Sequence, residues 1–392
     1  MPYKTPELAV SSSVVKWAIS TAGYNPYDVA ERLDISRELT QAWEKESEHI
    51  HFKVTRLEDL AHFLKRPLAT FLLEKPPLEP APPKDFRRAA GKSRPLSPDL
   101  SLVIRRSRRL QRVARELMES MGMSITSEIP TAELRDEPKL VGKELRRSFG
   151  ISTQEQIEWR SPGEALRKWR DALEKRNVLV FQGGFTREEA QGFSNSDEHP
   201  FAIILSIQDH PHARNFTLFH ELGHLLLGDP GICKTELIYP VSKTRINRTE
   251  NWCHRFAESF LIDDETLYSK ESTQYIIRMD PDYEAELTKL SIQFKVSRAV
   301  ILFRLLHDEK ISDSSFQSMY LKLQQLPRPK RREKKTKWGP PPDQRALNER
   351  GRFLSRLVLE SLDRNILGYA DAADYLGVRP KHFDKIRLVA YG

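Results

Sequence analysis

The sequence predicts a mainly α-helical protein built around a small α+β core. Apolar residues recur at helical spacing over most of the chain, from Val14-Val15-Lys16-Trp17-Ala18 to the last fifty residues. Only three short runs read as strands, Val178-Leu179-Val180-Phe181, Gly192-Phe193-Ser194 and Phe201 to Ile207, and they lie close together in the chain. Two stretches rich in proline or basic residues, Lys75 to Pro83 and Arg328 to Pro342, interrupt the pattern and read as linkers.

A length of 392 residues predicts two or three domains, and 39% hydrophobic residues suffice for real cores. No apolar run approaches the eighteen or so residues that span a bilayer, and the N-terminus lacks a secretory layout. With only Cys233 and Cys253, no disulfide framework is available. These features predict a cytoplasmic protein with no membrane partner. The net charge of +8 is uneven. Met1 to Lys75 holds ten Lys/Arg against eleven Asp/Glu, whereas Lys84 to Arg115 holds eleven against two and Arg328 to Lys337 seven against one.

From the N-terminus, residues 1–75 read as an all-α domain. Helices are expected around Val14 to Ala18 and Tyr27 to Leu33, then from Arg37 to Lys45 with Ser36 as its cap, then from Leu57 to Leu64. Two short helices joined by a tight turn are the layout of a helix-turn-helix. Residues 76–100 form a stiff, proline-rich spacer. Leu102 to Met121 reads as a basic amphipathic helix with its arginines facing water. The next domain is expected over 101–325, with its core at about 161–310. Ser161-Pro162-Gly163-Glu164 starts a helix, with Ser as cap, Pro at the first helical position and Glu reaching back. Two further helices are expected over Leu287 to Val296 and Ser297 to Leu306. Residues 326–342 are a basic linker, and 343–392 a helical segment whose Ala372-Ala373-x-x-Leu376-Gly377-Val378 has the period of a second helix-turn-helix. A helical lid packed on the catalytic domain is the favoured reading of that segment.

Chemistry concentrates in Phe216 to Gly228, which contains His220-Glu221-Leu222-Gly223-His224 on an apolar helix. Histidines four residues apart share a helix face, so both imidazoles reach one metal ion, and zinc is the expected one. Glu221 lies beside the ligands without being one and is the expected general base. A catalytic zinc needs a third protein ligand and an open position for water. Glu250, Cys253 and His254 all follow a loop of about twenty residues, Asp229 to Arg248, that borders the expected cleft. Glu258, two turns beyond Glu250, reads as a supporting carboxylate.

Several motifs together resemble the ImmA/IrrE family of metallo-endopeptidases with an N-terminal Xre-type helix-turn-helix. Ala30-x-x-Leu33-x-Ile35-Ser36, Trp43-Glu44 and Lys65-Arg66-Pro67-Leu68-Ala69 are similar to the family's N-terminal domain. Trp169-Arg170, Gly192-Phe193-Ser194, Pro200-Phe201-Ala202-Ile203, the histidine motif and Glu250-Asn251-Trp252-Cys253-His254 followed by Phe256-Ala257 occur in the family's order. The resemblance implies a zincin-like core, Glu250 as third zinc ligand, and DNA contacts at Ser36, Arg37, Gln41 and Lys45. It further implies a regulatory endopeptidase that cuts one chosen protein, such as a repressor or antitoxin, coupled to double-stranded DNA. The alternative is a non-proteolytic regulator whose zincin-like domain senses a ligand or partner. Three positions depart from the family pattern: His254 replaces Asn, Asp263 replaces Pro, and Lys295 replaces Gly in Phe294-Lys295-Val296-Ser297. His254 and Tyr239 are the candidate oxyanion or substrate contacts, with His212 a further candidate.

Overall fold

A computed structural model describes residues 6–36, 40–41, 49–80, 84–85, 96–186, 188–229, 231–233, 245–325 and 340–391. It is mainly helical with two small sheets and divides into two compact units, one of residues 1–82 and 92–106, the other of 83–91 and 107–392. No helix among the described residues is long and apolar enough to cross a membrane.

In the first unit, β1 (Glu7–Ser11) leads into α1 (Ser12–Thr21) and α2 (Pro26–Arg32), and β2 (His49–Lys53) into α3 (Val54–Phe63). The expectation of an all-α domain is therefore corrected, because β1 and β2 pair antiparallel with Val10 opposite Ile50 and Leu8 opposite Phe52. The signal was present in His49-Ile50-His51-Phe52-Lys53, whose exposed and buried residues alternate with period two. Asn25 caps α2 by accepting from the Tyr27 amide at 2.9 Å. Val15, Ile19, Val29, Phe52, Leu60 and Phe71 fill the core. Arg66 packs over the Trp17 ring at 3.9 Å and donates to Thr21 Oγ1 at 2.7 Å and to Glu79 at 3.0 Å. The start of the expected spacer is thus tied to this unit. Most of the expected Arg37 to Lys45 helix lies outside the described residues, although Thr40 and Gln41 are helical.

The division between units falls inside α4 (Pro98–Ser120). Four of its six arginines are partnered, while Arg106 and Arg112 are exposed, so the expectation that they face water holds for only part of the set. Arg105 donates to the Leu64 carbonyl, while Arg108, Arg109 and Arg115 pair with Asp197, Asp374 and Glu198.

The second unit continues through α5 (Pro138–Ser148), α6 (Thr153–Glu158) and α7 (Pro162–Glu174). Ser161 accepts from the Glu164 amide at 3.1 Å, and Glu164 reaches back to the Arg160 amide at 2.8 Å, the reciprocal cap that the sequence predicts. Five strands form one sheet, β3 (Lys84–Asp85), β4 (Leu179–Gly183), β5 (Gly192–Asn195), β6 (Ala202–Ser206) and β7 (Gly231–Cys233), in the order β3-β7-β5-β6-β4. β5 runs antiparallel to both neighbours, with Gly192 opposite Leu205 and Cys233. β4 to β6 match the expected strands. β7 instead occupies part of the expected long loop, and β3 part of the expected spacer.

α8 (Pro211–Leu226) packs on β5 and β6. α9 (Arg245–Leu261) then crosses α8, followed by α10 (Asp264–Tyr268), α11 (Glu271–Arg278), α12 (Tyr283–Phe294), α13 (Arg298–His307) and α14 (Asp313–Gln325). Trp169 stands edge-on to Phe219 and Phe260, whose rings stack at 3.9 Å, so α7, α8 and α9 share one aromatic core. The C-terminal segment is α15 (Pro342–Asp363), α16 (Tyr369–Leu376) and α17 (Phe383–Tyr391), with α15 packed on β4 and α7. α15 breaks at Gly351, where φ 81° and ψ 165° suit only glycine.

Two family departures have local explanations. Lys295 has φ 58°, a left-handed position that favours glycine, and its ammonium caps the Ile157, Ile292 and Gln293 carbonyls. Asp263 caps α10 by accepting from the Thr266 amide at 2.8 Å.

Candidate metal centre

α8 begins with His210 as its cap and Pro211 at the first helical position, and it ends at Gly228, with φ 60°. That left-handed turn brings Asp229 back over the helix end. The Asp229 amide donates to the His224 carbonyl at 3.0 Å, and His224 Nδ1 donates to the Asp229 carbonyl at 3.1 Å. With Nδ1 carrying the proton, Nε2 of His224 presents a lone pair.

Glu250 reaches these histidines because α8 and α9 touch at a glycine. A Cβ on Gly223 would lie 3.2 Å from both Cα and Cβ of Cys253. On the other side of α9, a Cβ on Gly142 of α5 would lie 2.8 Å from the Phe256 carbonyl oxygen. Two glycines therefore set how deeply α9 is seated, and Glu250 projects from it into the site.

His220, His224 and Glu250 form one buried group of potential ligand atoms within 4.8 Å of one another. The two Nε2 atoms are 3.2 Å apart, His220 Nε2 is 3.2 Å from Glu250 Oε2, and His224 Nε2 is 3.3 Å from Glu250 Oε1. Donors at ~2.0–2.1 Å from a tetrahedral ion stand about 3.3 Å apart, so the three groups fit one small cation. The chemistry agrees with the distances: three electron-rich groups converge in a dry pocket and need a positive charge between them. Burial alone would raise the Glu250 carboxyl, but the two imidazoles hold it well below the usual range. Burial lowers His220 against the opposing pull of Glu250. The arrangement keeps the ligand forms that a metal requires, neutral imidazole and carboxylate.

Glu221 is fully buried, and Ser194 Oγ on β5 donates to its Oε2 at 3.3 Å. β5 approaches so closely because residue 192 is glycine. A Cβ there would lie 2.7 Å from Thr217 Cγ2 and 3.2 Å from Glu221 Cγ. Neither Ser194 nor Gly192 was singled out as functional from sequence, although both stand in a stretch that resembles the family.

His254, one turn after Glu250, is buried with its ring 4.6 Å from that of His220 and 5.4 Å from that of Phe216. Its Nδ1 is buried without a hydrogen-bond partner among the described residues, and burial holds the ring neutral. Cys253 lies outside the ligand group, packed on Gly223, and burial pushes its thiol up to about 11. Glu258 is buried and pairs with His307 Nδ1 at 2.8 Å, away from the ligand atoms. His212 stands two turns before His220 on the same helix, about 12 Å along the axis. Tyr239, Arg37 and Lys45 lie outside the described residues, while Ser36 and Gln41 are exposed in the first unit.

Residues 173–306, about a third of the chain, match the Peptidase M78 family model, described as the IrrE N-terminal-like domain. This stretch runs from α7 to α13 and contains every residue of the ligand group. The chain therefore carries a metallopeptidase-like domain. No curated protein and no solved structure is significantly similar to it.

Proposed function

We propose that the chain is a zinc-dependent regulatory endopeptidase that cuts one chosen protein, of the repressor or antitoxin kind. The observation that carries the proposal is the buried His220-His224-Glu250 group with a buried carboxylate, Glu221, next to a ligand in the chain and held by Ser194. A structural metal site has no use for such a base. Zinc held by these three side chains supplies Lewis acidity toward the scissile carbonyl and toward a water.

Glu221 takes the water's proton and later delivers it to the leaving amine. Ser194 fixes one carboxylate oxygen by hydrogen bonding, so the basic lone pair keeps its direction through both transfers. His254 presents a neutral imidazole beside His220 and donates to the substrate carbonyl as negative charge develops on its oxygen. The buried rings of Trp169, Phe219 and Phe260 join α7, α8 and α9, so the two ligand helices are packed as one piece. In this proposal the first unit is the targeting module, a helix-turn-helix with Ser36 and Gln41 on its surface toward duplex DNA.

Glu221→Gln tests the reading. The variant keeps about one zinc per chain and slows cleavage of the partner by about 10³-fold, in the range for loss of a general base. Used as a trap, it captures intact the protein that the wild type cuts, for identification by mass spectrometry. An unchanged cleavage rate in Glu221→Gln, or full zinc content in His220→Ala, defeats the assignment. Regulation that persists in Glu221→Gln favours the non-proteolytic sensor instead.

A further inference from the structure

Arg328 to Gly392 holds sixteen Lys/Arg against eight Asp/Glu, an excess equal to the +8 of the entire chain. The preceding 327 residues therefore balance to zero. Six of the eight excess charges belong to the Arg328 to Lys337 run, and Arg379 and Lys381 follow in the connection between α16 and α17.

α16 and α17 are joined by a tight turn. Gly377 takes φ 68°, Val378 tucks inward, and a single 3₁₀ turn, Pro380–His382, leads into α17. The turn is packed from below: a Cβ on Gly377 would lie 2.8 Å from Arg350 Nη2, and Arg350 Nε donates to the Tyr375 carbonyl at 3.2 Å. Ala372, Leu376, Val378, Phe383, Ile386 and Ala390 are buried. Arg379, Pro380, Lys381, Asp384, Lys385 and Leu388 are exposed. Arg387 forms a two-pronged pair with Asp363, which ties α17 to α15 and leaves the opposite face of α17 outward. Two short helices, a glycine in the turn and an outward second helix are the layout of a DNA-reading helix-turn-helix.

The charges on that face are arranged for an external anion. Arg364, Arg387 and Arg109 are neutralised by Glu360, Asp363 and Asp374. Arg379, Lys381 and Lys385 have no ion pair among the described residues, and Asp384 is the single carboxylate between them. We propose that α16 and α17 form a second helix-turn-helix that docks duplex DNA, with α17 in the major groove and Arg379, Lys381 and Lys385 at its phosphates and base edges. Affinity for DNA comes largely from neutralising phosphates, and Arg379, Lys381 and Lys385 are the exposed cations that this face offers them.

The proposal stands apart from the peptidase reading, so full-length Glu221→Gln protein serves as the binding partner. Fluorescence anisotropy with a labelled mixed-sequence duplex of about 30 base pairs, titrated from about 50 to 200 mM KCl, gives the slope of log affinity against log salt. The expected result is a steep loss of affinity with salt. The triple change Arg379→Ala, Lys381→Ala, Lys385→Ala weakens binding about tenfold or more and reduces the slope by about 2 to 3. The charge-preserving triple Arg379→Lys, Lys381→Arg, Lys385→Arg keeps the wild-type slope. Absence of binding at the lowest salt overturns the proposal. So does an alanine triple with an unchanged slope, which assigns any binding to another region, or equal competition by a single-stranded RNA of the same length.

Discussion

Glu250 and Glu174 are both buried carboxylates on core helices of the second unit, and their surroundings shift them in opposite directions. Glu174 is pushed up to about 7 by burial, against the pull of Arg170. Its Oε2 accepts from the Phe353 amide at 2.9 Å, while its Oε1 lies against the backbone of Gly351. Arg170 in turn donates to the Val180 and Asn348 carbonyls, joining β4 to the C-terminal segment. Glu250 faces two imidazole Nε2 atoms and stays well below the usual carboxylate range. A carboxylate supplied with an amide donor is a joint between elements. One surrounded by lone pairs is waiting for a cation.

The largest effect is expected at Glu250. Glu250→Ala removes one of three ligands, so zinc content falls below half an equivalent and cleavage falls by at least about 10³-fold. Metal analysis at wild-type level would make Glu250 a second structural carboxylate and erase the contrast. Gly351→Ala comes next. Its new Cβ lies 2.1 Å from Glu174 Oε1, at a φ of 81°. The cost is about 3 kcal/mol, read as a lower unfolding midpoint, with zinc content unchanged. A loss under about 0.5 kcal/mol would show that the C-terminal junction yields.

Glu174→Gln is the subtlest. The folded pKa of Glu174 lies above its ordinary 4.5, so the protonated carboxyl stabilises the fold below about pH 4.5. That contribution is lost as pH rises through about 7. Between about pH 5 and 8 the wild type should lose on the order of 2 kcal/mol relative to Glu174→Gln, measured by chemical unfolding at each pH. Parallel curves for the two proteins would mean that Glu174 is ionised in the fold, like Glu250.

How legible each part was follows from the range of the interactions involved. The α8 ligands were readable because four-residue spacing on one helix is local geometry. Glu250 was reached by resemblance, since a connection that includes β7 hides its distance from His224. Ser194, Gly192, Gly223 and Gly142 were not assigned roles, because each acts on a partner far away in the sequence. The β1–β2 pair was overlooked despite the alternation in His49 to Lys53, which is too short to stand out beside four helical patterns. Lys295 shows the converse: its departure from glycine was visible in the sequence, but its three carbonyl partners were not.

By itself the sequence determined the helical class, the three central strands, the capped start of α7 and the histidine motif. Each depends on neighbours within a turn or two, where backbone geometry leaves few choices. The tertiary structure alone decided which glycine admits which helix, and hence that Glu250 meets His220 and His224 while Glu174 meets Gly351. Such choices rest on atoms brought into contact across 26 residues for Glu250 and His224 and 177 for Glu174 and Gly351, and no local pattern encodes that meeting.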